Sequence, residues 1–131
     1  MKLTADKIHE VLRQFDVAVV YLFGSTAANR PRADSDVDVA FLPQHPCDPY
    51  AVFQAAQELA SVEGREVDLV DLSRASAVMR AQIVTTGRRL LVTDPRRADE
   101  FEMYALSDYA RANEERRRAF GDYFDFGSIA G

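Results

Sequence analysis

Two aspartates one residue apart, Asp36 and Asp38, stand in a segment that is otherwise apolar, Asp36-Val37-Asp38-Val39-Ala40-Phe41-Leu42. On an extended strand, residues i and i+2 project from the same face, so both carboxylates point one way with Cα atoms ~6.5–7 Å apart. Carboxylates at that spacing suit hard, oxygen-preferring cations such as Mg²⁺. They can bridge two ions ~3.5–4 Å apart, the arrangement of in-line phosphoryl displacement. Charged groups inside a hydrophobic strand cost desolvation free energy, so their presence there needs a reason. Ten residues before them lies Phe23-Gly24-Ser25, at the close of an apolar run. Gly24 has no Cβ, so the chain can turn sharply and bring backbone N–H groups close to an anion. Ser25 adds a hydroxyl that can bond a phosphate oxygen. Neither an Asp-x-Asp pair nor a Gly-Ser pair is informative alone; a glycine turn after one strand and two acids inside the next is.

These residues need elements to hold them. Ile8, Val11, Leu12 and Phe15 fall at i, i+3, i+4 and i+7, the buried stripe of a helix over Thr4 to Phe15. Val17 to Phe23 is continuously apolar, too short for a helix and rich in β-branched and aromatic residues, and reads as a buried central strand. Residues 26–35 form a polar loop, and Asp36 to Leu42 a second strand. Asp48-Pro49 is a helix start, an N-cap followed by proline in the first turn, with Val52, Ala55, Ala56 and Leu59 as the buried face to about Val62. Glu66 to Leu72 is a third strand. A helix over Ala75 to Thr86 follows, with Gly87 expected to end it in the left-handed conformation. Arg88 to Val92 is a fourth strand. Asp94-Pro95 opens a long helix towards Ala119, with Phe101, Ala105, Tyr109 and Ala112 on its apolar side. Strands alternating with helices around one buried strand give a small α/β or α+β layer.

Gly24-Ser25, a ten-residue spacer and Asp36-x-Asp38 resemble the signature of the nucleotidyltransferase superfamily of polymerase-β fold. The spacer and the small size resemble its minimal branch, the MNT proteins. The resemblance covers Val17 to Val92, and more loosely the whole chain. It implies an α+β fold with a small mixed β-sheet and a long C-terminal helix. It also implies Mg²⁺, as two ions, held by Asp36, Asp38 and a third carboxylate on a later strand. In Glu66-Val67-Asp68-Leu69-Val70-Asp71 the match gives that role to Asp68, which could also accept the proton of an attacking hydroxyl. Asp71 is the competitor; it lies at odd spacing from Asp68, points to the opposite face and could instead cap the following turn. Gly24, Ser25 and Arg32 would bind the nucleotide. Arg32 falls where relatives often carry a basic residue, and Arg30 is a weaker candidate. Ser35 braces the turn into the strand. Some relatives carry an arginine shortly after the Gly-Ser pair; this sequence has Ala27, Ala28 and Asn29 there.

The activity implied by the resemblance is transfer of AMP from ATP to a protein hydroxyl. Members of the minimal branch are antitoxins encoded beside a HEPN-domain ribonuclease toxin, and a tyrosine of that toxin would be the acceptor. Two other readings stay open: an antitoxin that only occludes its toxin, and transfer to a small-molecule hydroxyl such as an aminoglycoside. About 40 residues after Val92 supply one helix and a tail, thin cover for a small-molecule pocket.

Composition narrows the field. The chain has 131 residues, 47% hydrophobic and 28% charged, an ordinary globular balance for one domain. We assign residues 1–120 to the nucleotidyltransferase domain and 121–131, with Tyr123, Phe124 and Phe126, to an aromatic tail that either folds back or anchors a partner. No apolar run approaches the ~18 residues of a membrane span, and the first residues lack a signal-peptide core, so a cytoplasmic location is expected. The net charge of −5 disfavours direct nucleic-acid binding, and Arg116-Arg117-Arg118 is balanced by Glu114 and Glu115. Cys47 is the single cysteine, which excludes an intrachain disulfide; His9 and His45 have no metal-ligand spacing. No Gly-x-x-x-x-Gly-Lys segment exists, which excludes a P-loop.

Overall fold

The computed structural model describes residues 2–24 and 36–119. The expectations for Ser25, Arg30, Arg32, Ser35 and the 121–131 tail therefore lie outside the described residues. Helix α1 (Ala5–Leu12) is capped by Thr4, whose hydroxyl accepts from Lys7 N at 3.1 Å, and buries Ile8, Val11 and Leu12. It ends sooner than periodicity alone suggests, tightening into a 3₁₀ turn over Arg13–Phe15 that still buries Phe15. Strand β1 (Val17–Leu22) and strand β2 (Val37–Pro43) follow on either side of the segment outside the described residues. Asp48 caps helix α2 (Pro49–Glu63), accepting from Tyr50 N at 3.2 Å. Strand β3 (Val67–Asp71), helix α3 (Ala77–Thr86), strand β4 (Arg88–Val92) and helix α4 (Pro95–Ala119) complete the order.

The sheet runs β3-β2-β1-β4. β1 is antiparallel to both neighbours, while β2 and β3 are parallel and joined through α2. All six residues of β1 are buried, as a central strand covered on both faces must be. One face packs Val20, Leu22, Val37, Val39 and Phe41 against α1 and α2; the other packs Ala18, Val19, Tyr21, Ala40 and Leu42 against α3 and α4. The mixed sheet, its helices and the long last helix make up the expected α+β fold. Among the described residues, no helix is long and apolar enough to cross a membrane.

Two local expectations are corrected. Gly87 is not left-handed; its backbone is extended, at φ −81° and ψ 175°. Space explains the glycine: a Cβ there would lie 2.5 Å from Ile83 O and 2.9 Å from Leu22 O. The left-handed helix end falls at Gly64, after α2. On α4, Phe101 and Ala105 are buried, but Tyr109 and Ala112 are exposed. The stripe continues past the point where there is sheet to cover it.

Candidate active site

β1 and β2 bring the glycine and the acids together. The ladder between them extends beyond β1, with Phe23 N donating to Asp38 O at 3.1 Å, so Gly24 arrives beside Asp38. Gly24 has φ +62°, and a Cβ built on it would lie 2.4 Å from Asp38 Oδ2. No side chain larger than hydrogen fits without displacing that carboxylate.

Asp38 alternates with Val37 and Val39 and so shares the α3/α4 face with Ala40. Asp68 is its register partner across the parallel β2–β3 pair. Partners in register project from the same side of the sheet, so Asp68 joins Asp38 although thirty residues separate them in sequence. Asp36 lies one residue before β2 rather than within it, and is exposed. Burial, then the charges of Asp68 and Asp36, push the Asp38 carboxyl above the usual carboxylate range. Asp36 and Asp68, with Gln57, Ala60, Glu66 and Val67, line an open pocket of about 260 Å³ where α2 passes the β3 edge. Gln57 and Glu66 carried no pattern that would mark them beforehand; one sits on an exposed helix turn, the other just before a strand.

Asp71 is arranged differently. Its carboxylate is buried on the side of β3 opposite Asp68, and its Oδ1 accepts from Ser73 N at 2.9 Å and Ser73 Oγ at 2.6 Å. Its Oδ2 faces Arg74 Nε at 3.7 Å. Asp71 braces the turn after β3. Cys47 is buried, its thiol raised first by that burial. His45 is exposed, 3.9 Å from Asp16.

Among the described residues, no three histidine, cysteine or acidic side chains close into a ready-made metal cage. The donors nevertheless suit a hard divalent cation. They are all carboxylate oxygens, they repel one another, and a cation among them would relieve the repulsion that adds to burial in raising Asp38.

The Gly24 turn thus stands against Asp38, with Asp36 just before the same strand and Asp68 on the adjoining parallel strand. The chain belongs to the polymerase beta nucleotidyltransferase family, which matches residues 6–96. It is 36% identical over 124 residues to the protein adenylyltransferase MntA of Shewanella oneidensis, across 92% of this chain and 88% of that one. A toxin–antitoxin crystal structure with AMP-PNP is similar at a TM-score of 0.81 and 35% identity, covering 93% of this chain and 99% of that chain. The tri-AMPylated Shewanella oneidensis HEPN toxin in complex with MNT antitoxin is similar at a TM-score of 0.74 and 34% identity, covering 92% and 95%.

Proposed function

We propose that this chain is a Mg²⁺-dependent protein adenylyltransferase that moves AMP from ATP to a tyrosine hydroxyl of a HEPN-domain ribonuclease toxin, and so acts as the antitoxin in the cytoplasm. The observation that carries this reading is the meeting of Gly24, Asp38 and Asp68 at one end of the sheet. The likeness to an adenylyltransferase and to toxin–antitoxin complexes supports the choice of acceptor.

In this reading the Gly24 turn offers backbone N–H groups to the triphosphate, and Ser25 and Arg32 add a hydroxyl and a guanidinium. Asp36, Asp38 and Asp68 would hold Mg²⁺, as two ions. The metal would supply neutralisation of the triphosphate and polarisation of the α-phosphoryl group. Asp68, exposed on the edge strand, accepts the proton of the acceptor hydroxyl. The tyrosine oxygen forms a bond to the α-phosphorus, the bond to the bridging oxygen breaks, and pyrophosphate leaves with the electron pair. The proton on Asp68 then passes to solvent.

The test is intact-mass spectrometry of the neighbouring toxin after co-expression with wild type or with Asp36→Ala/Asp38→Ala. We expect one or more AMP units with wild type and none with the double variant. An unmodified toxin that forms a stable complex with both would sink catalysis in favour of occlusion. Modification by the double variant would sink the metal assignment.

A further inference from the structure

The β1–β4 ladder is irregular at one point, three residues before Gly24. Val20 pairs with Leu91 but Tyr21 pairs with Arg89, so Leu90 is an extra residue on β4. Leu90 and Leu91, though consecutive, both pack on the α1/α2 face. Regular alternation would have sent Arg89 to that face as well. The bulge turns it to the α3/α4 face, onto which Tyr21 projects. There Tyr21 Oη donates to Glu102 Oε2 at 2.5 Å, and Arg89 Nε donates to the same oxygen at 2.8 Å. Arg89 Nη2 also donates to Asp99 Oδ1 at 2.7 Å. Burial first, then Glu102, holds the Tyr21 hydroxyl in its protonated, donating form. Three elements, β1, β4 and α4, are therefore tied at the place where the ladder itself fails to set their register.

We infer that the Tyr21–Glu102–Arg89 latch, created by the Leu90 bulge, is a positioning device that fixes the end of β1 and with it the Gly24 turn against Asp38. This rests on the proposed reaction for its catalytic consequence, though not for its structural one. The backbone of Gly24 lies so close to Asp38 that an added Cβ would stand 2.4 Å from its Oδ2, so a shift of β1 by a fraction of an ångström disturbs the nucleotide grip. The three side chains touch no substrate; they act through β1.

The test uses full-length protein with Tyr21→Phe, which removes only the hydroxyl, and Glu102→Gln, which keeps shape but not charge. Val92→Ala, in the same packed layer, serves as a control for general loosening. Amide hydrogen exchange is read first, without nucleotide. The inference expects roughly tenfold faster exchange at Leu22, Phe23 and Gly24 in both latch variants, and no such local change in Val92→Ala. The second reading is KM for ATP against kcat and against KM for the acceptor. KM for ATP should rise about tenfold in the latch variants while KM for the acceptor stays fixed, with partial retention in Arg89→Lys. Unchanged exchange at 22–24 overturns the inference, as does a KM for ATP in Val92→Ala that rises as much. Faster exchange in the latch variants, beside a wild-type protein that fails to use ATP, would keep the latch and defeat the proposed reaction instead.

Discussion

A methyl group is the smallest change that separates the two halves of the candidate site. Placed on residue 24, it would stand 2.4 Å from Asp38 Oδ2, in a backbone conformation that already disfavours a side chain. We expect Gly24→Ala to lower kcat/KM for ATP about a hundredfold. The test is steady-state adenylylation at fixed acceptor, and an unchanged rate would remove Gly24 from the site. Asp38 is the second sensitive atom group. Its folded-state pKa is raised, so the folded state binds its proton more tightly than the unfolded chain does. The sign follows: the contribution is favourable below the ordinary carboxylate range and is lost as the pH rises through the folded value. At neutral pH without divalent cation, Asp38→Asn should therefore raise the melting temperature, by about 1–3 °C. Mg²⁺ should raise that of wild type and leave the variant unmoved. A variant that melts lower, or that still responds to Mg²⁺, would contradict this.

The core of the sheet is built around Phe41 on β2, fully buried and stacked on Phe15 at a ring separation of 5.2 Å. Phe41→Ala should cost about 3–5 kcal/mol in urea unfolding, a large part of the ~5–15 kcal/mol a domain has. A loss under ~1 kcal/mol would mean that the two sheet faces are not the core described. What could be read from the sequence at this scale was local. The apolar run of β1, the Asp-Pro helix starts at 48–49 and 94–95, and the i, i+2 spacing of Asp36 and Asp38 each reflect a rule acting over a few residues. What could not be read is set by neighbours distant in sequence. Gly87 has no room for a Cβ between Ile83 O of its own helix and Leu22 O of β1, and the strand contact is one that no helix-end rule contains. The projection of Asp68 beside Asp38 depends on the register of a parallel crossover, and spacing within β3 offers only the choice between Asp68 and Asp71. Arg88-Arg89-Leu90-Leu91 carries no alternation, so its bulge and the direction of Arg89 were invisible.

Across the molecule, among the described residues, the two buried clusters are drawn from residues between Leu3 and Ala105. Helix α4, 25 residues and ~37 Å long, outruns a sheet whose longest strand has seven residues, and its last ten residues are exposed. The proposed division at residue 120 predicts that a chain shortened to residues 1–120 unfolds within about 2 °C of the full chain in differential scanning calorimetry. A larger drop would make the 121–131 segment part of the domain rather than a tail. The strand order has a further meaning during synthesis. β1 is made first of the strands and is one of the two inner ones, yet one of its two hydrogen-bonding edges is filled only when residues 88–92 leave the ribosome. Until then the nascent chain presents six consecutive core residues along an open edge, the kind of surface that recruits stray strands. Translation that stalls within α3 would release a fragment already carrying Gly24, Asp36, Asp38 and Asp68 but lacking the strand that seals β1. Such a fragment would go to aggregation or proteolysis, so the supply of active protein depends on messages read through β4.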